Sequence, residues 1–175
     1  LIKTSNESLR ELTFEIGSNS DLLLENLVTN TLNFHLEYFL KNTKKGKLTF
    51  PTKFNFIEPL LNISDKTRIL PRISLNPQSI ITKVEFGTSN LYERIDAINR
   101  LAECGYKTYI LIAPVIITDT FYEDYTNLIN KLKEKLSDKA KEFITFEIIF
   151  MTYSYVHRKI NEEAFTNTIN LYSKD

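Results

Sequence analysis

The sequence holds one cysteine, two histidines and four glycines, and no excess of charge of either sign. Each scarcity removes a class of function. A single thiol excludes a disulfide framework, and with only two histidines beside it no cysteine-rich zinc or iron–sulfur site can be built from these residues alone. Gly17, Gly46, Gly87 and Gly105 stand too far apart to form a phosphate-cradling loop. Lys plus Arg and Asp plus Glu are each 22, so the net charge is zero, whereas a chain that grips DNA unaided carries a basic excess. No apolar run approaches the roughly 18 residues of a membrane span. Leu1 to Arg10 has no apolar stretch of the kind a signal peptide needs. A cytoplasmic protein is expected, since one free thiol suits a reducing compartment. The chain opens on Leu1 rather than Met, so an upstream piece is expected to be missing.

Among its 175 residues, 42% are hydrophobic and 25% charged, the mix of a soluble domain with a real core. There is no low-complexity run, linker or domain boundary, so one domain over residues 1–175 is expected. Strand-like and helix-like segments alternate. Thr13 to Ile16 reads as a strand ending at Gly17. Helical spacing of Leu24, Leu27, Val28, Thr31, Leu32, His35 and Phe39 predicts a helix from about Asp21 to Lys41, capped by Ser18 or Ser20. Lys47 to Lys53 reads as a strand before a short helix around Ile57 to Leu61. Thr67 to Asn76 contains another strand, with Pro71 suggesting an edge or a bulge. Asn90 to Cys104 is amphipathic and closed by Gly105. Lys107 to Val115 is a strand apolar on both faces, followed by a helix over Phe121 to Leu136 and a strand over Phe143 to Met151. The Lys131 to Glu142 stretch reads as a solvated helix face.

This rhythm predicts an α/β fold of parallel βα units, either a partial (β/α) barrel or an open sheet. In both, sites form at the carboxyl ends of strands. The polar groups predicted there are Gly17 to Asp21, Thr52-Lys53, Ser74 to Asn76 and Ala113-Pro114. Ser18 to Asp21 fits helix capping, and it also fits reception of a ligand ammonium by Ser20 and Asp21. Lys53 can snorkel to solvent or hold a carboxylate as a point charge. His35 reads as a packing histidine on the face of Leu32 and Phe39; His157 has no partner visible in sequence. Cys104 reads as structural, at the end opposite the site.

Four stretches resemble the spore photoproduct lyase family of radical S-adenosylmethionine (SAM) enzymes. Phe14-Glu15-Ile16-Gly17-Ser18-Asn19-Ser20-Asp21 is similar to its F-E-A-S-C-T-S-D segment. Leu48 to Asn55, followed by Leu60-Leu61, resembles its strand ending in T-K. Lys66-Thr67-Arg68 with Arg72 to Asn76 resembles K-T-R…S-I-N. Gly87-Thr88-Ser89…Arg94, Gly105-Tyr106-Lys107 and Ala113-Pro114 resemble G-T-S…R, G-Y-K and A-P-I. The matches run in family order over about residues 12 to 150.

The resemblance implies the central to C-terminal part of a radical SAM partial barrel, truncated at its ends, working with SAM and a [4Fe–4S] cluster. It implies a DNA-repair lyase that uses a 5′-deoxyadenosyl radical to split the ultraviolet-induced thymine dimer of spore DNA into two thymines. Ser20 and Asp21 would bind the SAM amino group, Lys53 and Ser74 its carboxylate, and Ala113 its adenine through backbone atoms. Damaged DNA and an electron donor such as a ferredoxin or flavodoxin would be the partners, with no membrane, and the spore core a compartment in a spore former. Three departures stand out. The C-x3-C-x2-C motif is absent, so the cluster ligands are expected upstream. The family's C-terminal hairpin at the lesion site is absent too. Ser18 stands where the family has the cysteine thought to return a hydrogen atom to the product radical. A radical SAM relative with another substrate, or a non-catalytic α/β binding domain, are the alternative readings.

Overall fold

A computed structural model gives the fold and describes residues 1–150 and 155–164. Five strands, β1 (Thr13–Glu15), β2 (Lys47–Thr52), β3 (Ile69–Ser74), β4 (Thr108–Val115) and β5 (Ile144–Phe150), form one sheet in the order of the chain. Every neighbouring pair is parallel. Parallel neighbours need crossovers, and sequential order makes each crossover a simple βα unit of the same hand. The result is a curled half-barrel, the first of the two architectures predicted.

Helix α1 (Ile2–Glu7) precedes the sheet, α2 (Leu22–Thr29), α3 (Leu32–Asn42), α4 (Glu58–Leu61), α5 (Gln78–Val84), α6 (Leu91–Glu103), α7 (Phe121–Lys135) and α8 (Asp138–Phe143) connect its strands, with a 3₁₀ turn at Lys66–Arg68, and α9 (Tyr155–Ala164) follows it. The core lies between sheet and helices. Leu48 and Phe50 of β2, Ile69 and Ile73 of β3, and Ile110 and Ile112 of β4 meet Leu36, Phe39, Ile95 and Ile98 there. The best-specified helix is α6, whose Asn90 and Glu93 form a capping box at its start.

Several expectations need correction. The helix predicted over Asp21 to Lys41 is two helices, because Asn30 adopts the left-handed conformation (φ 50°). The Asn26 side chain then accepts from Leu32 N at 2.9 Å and starts α3. His35 is exposed, since the buried face of α3 is Leu32, Leu36, Phe39 and Leu40. The N-cap of α2 is Asp21, not Ser18 or Ser20. Lys131 to Glu142 is broken at Leu136, where Ser137 caps α8. The side chain of His157 lies outside the described residues.

Pro71 sits in the central strand, not at an edge. Leu75 N–H donates to Leu111 O at 2.9 Å, so by alternation the nitrogen of Pro71 points toward β4. Pairing with β4 begins only at Arg72 opposite Tyr109, so no ladder bond is lost. Pro51 follows the same logic. Ile16 N–H donates to Thr49 O, and β1 has ended before the nitrogen of Pro51 would need a partner.

Candidate functional site

The carboxyl ends of β1 to β4 carry a continuous polar network. At the end of β1 the chain turns through Gly17 to Ser20, closed by Ser20 N–H to Gly17 O at 3.2 Å. Gly17 has φ +72°, and a Cβ there would meet Leu22 Cγ at 2.6 Å. Only glycine lets the turn deliver Asp21 to the start of α2. Asp21 Oδ1 accepts from Leu23 N, Leu24 N and the Thr52 hydroxyl, and Oδ2 accepts from Lys53 N at 2.8 Å. One carboxylate thus caps a helix and locks the end of β2. A carboxylate offers about four acceptor directions, so Oδ2 retains one. Ser18 and Ser20 are exposed on this turn, and neither hydroxyl has a hydrogen-bond partner among the described residues.

Lys53 leaves the end of β2 with its side chain 34% exposed. Its Nζ donates to Ser74 Oγ at 3.2 Å and to Glu85 Oε1 at 2.6 Å. Ser74 closes β3 and is buried. An ammonium has three N–H groups, so one remains beside a cavity of about 410 Å³ lined by Lys53, Val84, Glu85, Phe86, Thr88, Pro114 and Ile116. Ala113 precedes Pro114 of this wall through a cis peptide bond and is not itself among the lining residues. Lys53 and Ser74 therefore meet, and Asp21 is tied to both through the Lys53 backbone. The Ser20 side chain stays outside the network.

Sequence reasoning missed Glu85, the centre of this network. It is buried, and Oε1 also accepts from Asn76 Nδ2 at 3.0 Å. Arg94 Nη2 lies 2.7 Å from Oε2, an ion pair without hydrogen-bond alignment. Burial pushes the Glu85 carboxyl up, but the Lys53 hydrogen bond and the charges of Lys53 and Arg94 outweigh it, leaving it below the usual glutamate range. Arg94 is fully buried on α6. It donates to Ser89 O, Ser74 O and Thr88 Oγ1, at 2.7 to 2.9 Å. The G-T-S…R stretch is thereby explained as a loop wrapped around one arginine. The only signal for Glu85 was its position beside that stretch.

Below this layer, Arg72 of β3 reaches Glu15 of β1 at 2.5 Å and Glu147 of β5 at 3.5 Å. Its guanidinium bridges strands on either side and supports the curl of the sheet. Cys104 closes α6 at the opposite end, packed against the core as expected.

A family model described as spore photoproduct lyase matches residues 4–173. The chain belongs to that family. It is 32% identical over 155 residues to spore photoproduct lyase of Bacillus subtilis, covering 89% of this chain and 45% of that protein. With the enzyme of Clostridium acetobutylicum the identity is 30% over the same shares. A solved spore photoproduct lyase variant with bound AdoMet and dinucleoside spore photoproduct superposes with a TM-score of 0.86 at 27% identity, over 99% of this chain and 50% of that one. The enzyme complexed with dinucleoside spore photoproduct gives 0.85 at 28%, over 95% and 49%. The chain spans about half the length of the relatives it matches.

The residues present fit one of the family's two cofactors. A half-buried lysine lining a cavity, with a buried serine hydroxyl bonded to its ammonium, suits the carboxylate of SAM. The [4Fe–4S] cluster finds no ligand set: the one cysteine is at the wrong end, and no group of three His, Cys, Asp or Glu could hold a metal among the described residues. No helix among the described residues is long and apolar enough to cross a membrane.

Proposed function

We propose that this chain is the SAM-binding part of a spore photoproduct lyase, which repairs DNA by splitting the ultraviolet-induced thymine dimer into two thymines. The observation that carries this reading is the Lys53–Ser74 pair at 3.2 Å beside the strand-end cavity. It is supported by family membership and by a relative solved with AdoMet and dinucleoside spore photoproduct. In this reading Lys53 Nζ and Ser74 Oγ hold the carboxylate of SAM. Asp21, with one acceptor direction left, and Ser20 receive its amino group, and the Ala113 backbone meets the adenine. The chemistry SAM supplies, bound beside a reduced cluster, is a carbon radical able to abstract hydrogen from the lesion. The cluster ligands belong to residues outside this sequence, and a ferredoxin or flavodoxin supplies the electron.

Ser18 favours a second reading, a radical SAM relative with another substrate. A thiol S–H bond is weak enough to return hydrogen to a carbon radical, and an aliphatic O–H bond is not. The test is to incubate the full-length, cluster-loaded protein with SAM, reductant and dinucleoside spore photoproduct. Loss of the photoproduct to thymine-containing product upholds the lyase. Cleavage of SAM with the photoproduct intact favours the second reading, and failure to bind SAM refutes both.

A further inference from the structure

Lys53 and Ile116, just past the end of β4, both line the cavity, and one chain of hydrogen bonds joins them. Lys53 Nζ donates to Glu85 Oε1 at 2.6 Å, and Asn76 Nδ2 donates to the same oxygen at 3.0 Å. Asn76 Oδ1 accepts from the Tyr125 hydroxyl at 3.0 Å, and that hydroxyl accepts from Ile116 N at 2.9 Å. Asn76 is fully buried, and Ile116 and Pro114 line the cavity with Lys53 and Glu85. Two of the links share Glu85 Oε1 and two share the Tyr125 oxygen; the Asn76 amide donates one way and accepts the other, which fixes its orientation. Phe121 packs on the Tyr125 ring, with centroids 4.9 Å apart, and holds the phenol in line. Burial raises the Tyr125 hydroxyl above its ordinary titration range, so it stays a donor at neutral pH.

We infer that Tyr125 is a positioning residue which, through Asn76 and Glu85, fixes the carboxyl end of β4 at Ile116 relative to Lys53. It touches neither end of the ligand. The inference rests on the proposed SAM reading, in which Lys53 holds the carboxylate end and the Ala113–Ile116 segment the adenine end. The two half-sites are separate strand ends, Ser74 and Ala113 being 39 residues apart in sequence, and SAM has to satisfy both at once. A rigid spacing between them lowers the ordering cost of binding.

The test uses the full-length, cluster-loaded protein and SAM as the calorimetric probe. Wild-type protein that fails to bind SAM sinks the functional reading itself. If it binds, Tyr125→Phe removes one oxygen and with it two hydrogen bonds, orphaning Asn76 Oδ1 and Ile116 N–H, and should weaken SAM about 5- to 20-fold. The diagnostic arm is a cycle with Lys53→Ala. Coupled positioning makes the double variant's loss clearly smaller than the product of the single losses. 5′-Methylthioadenosine, which lacks the carboxylate, should be weakened less by Tyr125→Phe than SAM is. Independent, multiplicative losses, or an unchanged SAM affinity in a folded Tyr125→Phe protein, overturn the relay. Should Tyr125→Phe fail to fold, Asn76→Ser breaks the chain at its middle and must show the same non-multiplicative pattern with Lys53→Ala.

Discussion

Replacing Glu85 by Gln keeps its shape and removes its charge, leaving two cations without their shared anion. Arg94 suffers most. It is fully buried, although Ser89 O, Ser74 O and Thr88 Oγ1 still accept from it. Breaking one side of a buried ion pair costs about 3–5 kcal/mol. Lys53, at 34% exposure, can turn toward water, which puts the expectation near the lower end, about 3 kcal/mol. At roughly 2–4 °C per kcal/mol for a protein of this size or larger, the thermal midpoint falls by about 6–12 °C. The pH dependence has a definite sign. The Glu85 carboxyl titrates below its ordinary 4.5 in the folded state, so its stabilisation is present above that value and disappears as pH falls through the folded one. The gap between wild type and Glu85→Gln, measured by thermal denaturation of the full-length protein, should therefore hold from neutral pH down to about 4.5 and narrow as pH falls below it. A loss under about 1 kcal/mol at pH 7, or a gap that does not change with pH, would refute the reasoning.

Lys53→Ala should weaken SAM binding about ten- to hundredfold, the loss of one charge-assisted hydrogen bond of about 1.5–3 kcal/mol, and an unchanged titration would remove Lys53 from the site. Asp21→Ala strips the cap of α2 and the bonds to Thr52 and Lys53 N; urea denaturation should show a loss of about 1–3 kcal/mol, more than a cap alone gives. With spore photoproduct as substrate, the Ser18 protein should split the dimer and leave much of its product as radical adducts, while Ser18→Cys restores clean thymine pairs. Identical clean products at the same rate from both proteins would end the hydrogen-donor argument for this position.

The strand–helix alternation was legible because β3, β4 and β5 are rich in apolar residues and β2 alternates buried Leu48 and Phe50 with more open positions. The boundaries of α6 were legible because Asn90, Glu93 and Gly105 act locally. The break at Asn30 was not, since it depends on Asn26 reaching Leu32 N across the turn. Pro71 misled because proline is costly in a ladder only where a donor is required, and that depends on where β4 begins pairing. Lys53, Ser74 and Asp21 could be found from strand-end position alone. Glu85 could not: its partners lie 9 and 32 residues away in sequence, and no period or motif joins a lone acid to them.

The central claim is that the carboxylate of SAM sits on Lys53 and Ser74 at the mouth of the half-barrel. A crystal structure of the full-length, cluster-loaded protein with SAM measures this directly. The account predicts a carboxylate oxygen within about 3 Å of Lys53 Nζ and of Ser74 Oγ, with the adenine against the Ala113 backbone near the end of β4. SAM density elsewhere, or a carboxylate held by other side chains while Lys53 remains paired only to Glu85, would contradict it.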